Sequence, residues 1–166
     1  TAANENAATS RNRAYTLDAI ERLTDVIYSD AATLEIYTLD EEGNRITSHL
    51  ASFHVTDVAN RLTEDEKHQF EYDANGNMVR KTVKASGATW RYSYTVWDEL
   101  ASASRHASAD AASPIVEKAS YTFDALGRRI SERRYDGGGA LTGGTNFHYD
   151  GEEVAHEVAV DATGAI

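Results

Sequence analysis

The sequence predicts an all-β protein, an antiparallel sheet of repeated hairpins, and three observations carry that prediction. First, one short unit recurs: an aromatic residue, any residue, a large apolar residue, then Asp. It stands as Tyr15-Thr16-Leu17-Asp18, Tyr37-Thr38-Leu39-Asp40, Phe70-Glu71-Tyr72-Asp73, Tyr121-Thr122-Phe123-Asp124 and Phe147-His148-Tyr149-Asp150. Second, glycine follows three residues after Asp40, Asp73 and Asp124, at Gly43, Gly76 and Gly127, and is itself followed by Asn44, Asn77 or Arg128. Third, Trp90, Tyr92, Tyr94 and Val96 alternate strictly, the period of a strand.

Each unit reads as strand, reversal and return. Phe70 and Tyr72 are two apart, so in an extended chain they share a face. Asp73 is suited to the first position of a type I turn, where its carboxylate accepts bonds from the following amides, and Gly76 supplies the positive φ that closes the reversal with a bulge. Val79 and Val83 then resume the apolar side of a second strand.

Taken in order, Thr1–Ala14 is a polar leading segment, and the repeats occupy residues 15–166. Asp18 opens a second form, Asp-x-x-x-Arg-Leu-Thr, through Arg22, Leu23 and Thr24, which Asp57 repeats through Arg61, Leu62 and Thr63. There Asn60 takes the place of glycine, because Asn tolerates the left-handed conformation; Glu21 in the first copy departs from that rule. Val26 and Tyr28, then Leu34 and Ile36, flank a turn expected at Ser29–Ala32. Another is expected at Ser86-Gly87. Tyr94-Thr95-Val96-Trp97-Asp98 reads as a degraded copy that keeps aromatics and loses the glycine. The Ala-rich stretch from Asp98 to Ala112 has one large apolar residue, Leu100, so as a helix it would have no face to bury. It reads as a strand leading into a loop at 107–114. A further glycine-rich loop is expected around Gly137–Gly139 and Gly143-Gly144, and Asp161 with Gly164 is a weaker copy. The sum is a relay of about a dozen or more short strands.

Composition narrows the function. Sixteen basic against 27 acidic residues give a net charge of −11, which argues against nucleic-acid or anionic-membrane partners. No cysteine is present, which removes disulfides, thiolate metal sites and thiol nucleophiles. No apolar run is long enough to span a bilayer, and Thr1–Ala14 has no signal-peptide core. The chain begins at Thr1 and reads as a segment of a larger protein. Repeated aspartates at one turn position read as turn formers, since a catalytic acid is needed once. Asp73–Asn77 resembles the opening of a calcium loop, yet Met78 and Lys84 stand where Gly and a bidentate Glu are required. The six histidines, His49, His54, His68, His106, His148 and His156, are spread singly, and bland strand-face or solvent positions are expected for them. Neither a Gly-x-Ser-x-Gly elbow nor a phosphate-loop Lys follows any glycine run. No catalytic residue, cofactor or metal is expected. The aromatics read as the packed face of the sheet, or alternatively as a surface that stacks on sugars.

The best copies, Tyr37–Ile46, Phe70–Val79 and Tyr121–Ile130, together with the Arg-Leu-Thr variants at Arg22 and Arg61, resemble the YD-repeat or Rhs family. The resemblance implies a curved sheet forming a strip of a spiral, hollow shell, as in polymorphic toxins, toxin-complex cocoons and teneurins. It implies a structural encapsulation role, with the remainder of the shell and an enclosed C-terminal toxin segment as partners and a secreted or cell-surface location. A cell-surface adhesion module binding glycan or protein is the alternative. The residues expected to matter are architectural: the aromatics, the turn Asp and Gly residues, and the Asn or Arg that follows.

Overall fold

The computed structural model describes residues 12–29 and 34–166. The turn expected at Ser29–Ala32 and all but the last residues of the Thr1–Ala14 leader lie outside them. Fourteen strands follow one another with no helix among the described residues. Two compact units divide them, Thr1–Glu66 and Lys67–Ile166.

In the first unit β1 (Arg13–Leu17), β2 (Leu23–Tyr28), β3 (Leu34–Leu39) and β4 (Arg45–Ser48) form an antiparallel meander in chain order, and β5 (His54–Thr56) pairs with β6 (Leu62–Asp65) as a hairpin. The second unit contains β7 (His68–Tyr72), β8 (Met78–Val83), β9 (Thr89–Tyr94), β10 (Leu100–His106), β11 (Ile115–Phe123), β12 (Arg129–Asp136), β13 (Leu141–Asp150) and β14 (Glu153–Val160). Each of these pairs antiparallel with the next. The Ala-rich stretch is therefore strand β10 and a following loop, as the lack of a helical apolar face requires. The alternation around Trp90 stops earlier than its pattern suggests. Strand β9 ends at Tyr94, and Val96 lies in a turn, 89% exposed.

Register sorts the second unit into two unlike faces. Phe70 stands opposite Lys81, Lys81 opposite Trp90, and Trp90 opposite Arg105. Carried along the strands at the two-residue period, this face collects Phe70, Tyr72, Trp90, Tyr92, Tyr94, Tyr121, Phe123, Phe147 and Tyr149. The other face carries hydroxyls that meet in cross-strand pairs: Ser93 with Ser102 at 2.7 Å and Thr122 with Ser131 at 2.6 Å. Thr82 and Thr89 pair at 3.1 Å, and Thr89 is fully buried, its hydroxyl also donating to the Gly87 carbonyl at 2.9 Å. In the first unit Thr38 and Thr47 make the same kind of pair at 2.7 Å.

Few apolar side chains are buried: Val26 and Tyr37 in the first unit, Ala103 and Val160 in the second. Neither unit has a helix layer on its sheet. The aromatic face is half-buried, its rings covered by neighbours on the same sheet. Arginine supplies part of that cover, through cation–π stacking. The Arg129 guanidinium lies 5.6 Å from the Tyr121 ring centre and 4.8 Å from that of Phe147. Arg45 lies 4.5 Å over Tyr37, and Arg128 4.6 Å over Tyr149.

The loop after β10 is tied back to the sheet. His106 is buried, its Nδ1 2.9 Å from the Ser113 carbonyl and its Nε2 3.0 Å from Ser104 Oγ. This corrects the expectation of an exposed or strand-face histidine at that position. The Arg91 guanidinium donates to the carbonyls of Ala109, Asp110 and Ala111.

Gly43, Gly76 and Gly127 have φ of 91°, 92° and 74°, the left-handed region that favours glycine. Three other residues occupy the same turn position without being glycine: Glu21 at 66°, Asn60 at 58° and Asp98 at 61°. Replacing Gly76 by Val is expected to destabilise the chain by more than ~1 kcal/mol, whereas Glu21→Gly is expected to stabilise it by up to ~1 kcal/mol. Urea denaturation of the two variants beside the parent chain checks both signs.

Candidate functional site

The feature that recurs is the turn, and its chemistry is the same each time. The amide of the leading Asp donates to the carbonyl four residues on, and the amide three residues on donates back to the Asp carbonyl: Asp73 with Asn77 at 2.9 Å and Gly76 with Asp73 at 3.2 Å. The carboxylate completes the reversal. One oxygen of Asp73 accepts the amides of Asn75 and Asn77 at 3.0 and 2.8 Å; the other accepts the Asn77 side-chain amide at 3.1 Å. Asp124 does likewise with Leu126 and Arg128, at 2.9 and 3.0 Å, and its second oxygen takes Arg128 Nε at 2.8 Å. Asp18 with Arg22 (2.7 Å) and Asp57 with Arg61 (2.8 Å) repeat the guanidinium contact. Asp40 takes the Asn44 side-chain amide at 2.9 Å. Asn and Arg thus serve interchangeably because each places a side-chain N–H over the same carboxylate oxygen.

The return strand carries a bulge at a fixed place. Leu39 stands opposite Arg45 while Thr38 stands opposite Thr47, so Ile46 is the extra residue; Val79 and Ile130 hold that place in their hairpins. In the Arg-Leu-Thr copies the bulged residue is Thr, whose hydroxyl donates to the strand carbonyl across: Thr24 to Thr16 at 3.2 Å and Thr63 to Val55 at 3.1 Å. Such bulges increase local twist.

Successive turns also touch. Arg22 Nη1 donates to the Asp40 carbonyl at 2.7 Å, and Asn44 Nδ2 donates to Asn60 Oδ1 at 3.0 Å. In the second unit Asn75 and Asn77 both donate to Asp98 Oδ1, at 2.9 and 2.7 Å, and Arg128 Nη1 reaches the Gly151 carbonyl. A Cβ at Gly127 would lie 3.3 Å from Glu99 Oε1. The side chain after the glycine therefore does two jobs, clamping its own Asp and bridging to the next turn. Tyrosines before the turns add a further tie. Tyr94 donates to the Met78 carbonyl at 2.9 Å and Tyr149 to the Arg129 carbonyl at 3.0 Å, each beyond the last paired residue of the inter-hairpin ladder.

Among the other motif residues, Leu23 and Leu62 pair with the residues preceding their turns, Tyr37 is buried, and Tyr15 is 60% exposed on β1. Three differences from the sequence reading have physical causes. Asp150 is not a turn Asp: it ends β13 opposite Glu153, and Gly151, at φ 62°, begins a two-residue hairpin loop. The degraded copy is shifted, with Thr95 in the Asp position. The Thr95 hydroxyl stands 3.2 and 3.3 Å from the amides of Trp97 and Glu99, and Asp98 occupies the glycine position. The glycine run at 137–139 hides a full turn. Asp136 Oδ1 accepts Gly138 and Ala140 amides at 2.9 Å each, and Gly139 has φ 85°. Tyr135-Asp136 with Gly139 was the available signal. Asp161 with Gly164 closes a turn of the same kind.

Among the described residues no group of three or more His, Asp or Glu side chains is placed to hold a metal ion. Ser104 and His106 have the distance of a nucleophile and base. Both ring nitrogens of His106, however, already hold neighbouring groups, and the pair fastens β10 to its loop.

The repeated clamp decides what the chain resembles. The family model of the teneurin YD-shell matches residues 1–150. The chain belongs to that family. Solved structures similar to this YD-shell chain include the crystal structure of TcdB2-TccC3-TEV, at 17% identity over 81% of this chain and a TM-score of 0.42. The Photorhabdus luminescens Tc holotoxin pore is similar at 14% identity over 93% of this chain, with a TM-score of 0.43. The chain spans only 7% and 8% of those two chains. Those likenesses are too distant to add to the family assignment.

The clamps hold their carboxylates in the charged form. The Arg22 amide and then its guanidinium lower the pKa of Asp18, and the Asn44 side chain lowers that of Asp40. The guanidinium groups of Arg61 and Arg128 do so for Asp57 and Asp124. For Asp73 desolvation acts upward but is outweighed by the bonds from Asn77, Asn75 and Gly76. A carboxylate whose pKa is lower folded than unfolded stabilises fully above its unfolded value, near 3.8, and that stabilisation is lost as pH falls through the folded value. The melting temperature is therefore expected to hold from neutrality down to about pH 5 and to fall below about pH 4. Replacing Asp73 and Asp124 together by Asn should lower the plateau and make the acid limb shallower. Melting curves across that range check the shape.

Proposed function

We propose that this YD-shell chain is a strip of wall in a larger shell that encloses and carries a C-terminal toxin segment, and that the strip itself catalyses nothing. The observation that supports this most is redundancy. One turn chemistry recurs at Asp18, Asp40, Asp57, Asp73, Asp124, Asp136 and Asp161, and its polar groups are spent on one another. A strip of that kind works by continuing a sheet; its partners are the neighbouring strands of the shell and the enclosed segment. The proposed location is outside the producing cell, secreted or at its surface.

The aromatic face of Lys67–Ile166 supports a second reading, adhesion through glycan or protein contact, because nine rings share one face without a helix layer over them. The two readings separate by experiment. If the strip is carrier wall, a parent protein truncated after Ile166 is expected to lose all toxicity while the part beyond Ile166 retains it. Full toxicity of the truncated parent overturns the carrier reading. Specific binding of the 166-residue chain to cells, lost when Trp90 and Tyr92 are replaced by Ser, favours adhesion.

A further inference from the structure

Within the first unit, Asn44, Arg45, His54, Thr56, Asn60 and Leu62 line a pocket of about 290 Å³. It sits where one repeat hairpin meets the next. Arg45 follows the clamp residue Asn44, His54 and Thr56 precede the turn of Asp57, and Asn60 holds the left-handed position of that turn. The same place in the second unit is a pocket lined by Leu100, Tyr121, Phe123, Gly127, Arg129 and Tyr149. There the guanidinium is engaged, lying over two rings and 3.9 Å from Glu132. The first pocket is built differently. Histidine and threonine replace the aromatics, and Arg45 has one ring, Tyr37, as its neighbour.

Two features of this pocket call for a ligand. His54 Nδ1 is buried with no hydrogen-bond partner, a state that costs about 1–3 kcal/mol in a native protein unless something satisfies it. Arg45 has no carboxylate partner, although the chain carries a net charge of −11. The pocket-facing inventory is dominated by donors: the Arg45 guanidinium, the Asn60 amide, the Thr56 hydroxyl and, in one tautomer, the His54 ring N–H. Asn44 is already spent on Asp40 and Asn60. No acidic residue is in the lining; Asp65, opposite His54 on β6, is outside it.

We propose that this pocket binds a small oxyanion, the carboxylate or phosphate group of a ligand, with Arg45 as the charge partner and His54 and Asn60 as orienting donors. A planar fork of N–H groups suits either anion bidentately, and the histidine supplies direction. The site is independent of whether the parent shell carries a toxin.

The test follows the His54 ring resonances of the 166-residue chain by NMR while inorganic phosphate or D-glucuronate is titrated in, chloride holding the ionic strength constant. A saturable shift with at least one anion is expected, and which one saturates identifies the source as phosphate or carboxylate. Arg45→Ala is expected to weaken that binding at least about tenfold, the loss of one charged hydrogen-bonding partner. Asn60→Gly, which suits the backbone at that position and so preserves folding, is expected to weaken it less. No saturable shift with either anion, or a shift that survives unchanged in both variants, overturns the proposal.

Discussion

The structure depends on one constraint: a single carboxylate holds five consecutive residues in a reversal while its fourth neighbour covers it. A lone hairpin is marginal in water, and these units have little apolar core to compensate. The Asp clamp lowers the cost of each reversal locally, because donors and acceptor lie within five residues of one another and little loop entropy is spent bringing them together. It also fixes register, since the bulge falls at the same offset after each clamped turn. A slip of one residue would exchange the aromatic and hydroxyl faces of the second unit. The turns therefore specify the sheet as much as the strand residues do.

The clamp residue links local structure to assembly. Arg22, Asn44, Asn77 and Arg128 each close their own turn and, from the same side chain, touch the next one. The first role uses the oxygen facing inward along the turn, and the second uses the N–H groups left over. A side chain with one donor could not serve both, which is why Asn and Arg hold this position in the linked turns. Ala140 and Ala165, at the same offset from Asp136 and Asp161, lack such donors. They follow turns outside this row, and no side chain there makes the bridge.

Much of this was legible in the sequence, and the reasons are local. Asp-x-x-Gly with an aromatic two or four places earlier encodes turn, bulge and face together, so Asp40, Asp73 and Asp124 needed nothing from the tertiary fold. Asp136 was passed over because three glycines in a row suggest looseness, while only the last of them needs positive φ. Thr95 was missed because a hydroxyl stood in for a carboxylate, which moved the motif by three residues. Asp150 misled in the other direction: its aromatic neighbours were right, but Gly directly after it selects a tighter hairpin. The pocket around His54 could not be read at all, since nothing in the spacing of Arg45, His54 and Asn60 announces that two turns bring them together.

The clamped turns that touch lie at one end of the hairpins, whereas the connections at the other end follow no common rule. Lys84–Ala88 is a short reversal, and the loop after His106 runs to Pro114 before the chain re-enters the sheet. Only the Arg91 guanidinium, grasping three carbonyls, and the buried ring of His106 hold that excursion down. One margin of the sheet is thus standardised and the other is free to change length. That asymmetry explains how motifs spaced irregularly along the chain still fall into line in space. It also marks residues 107–113 as the place where evolution, or an engineer, can graft a new segment while leaving the pitch of the row of turns untouched.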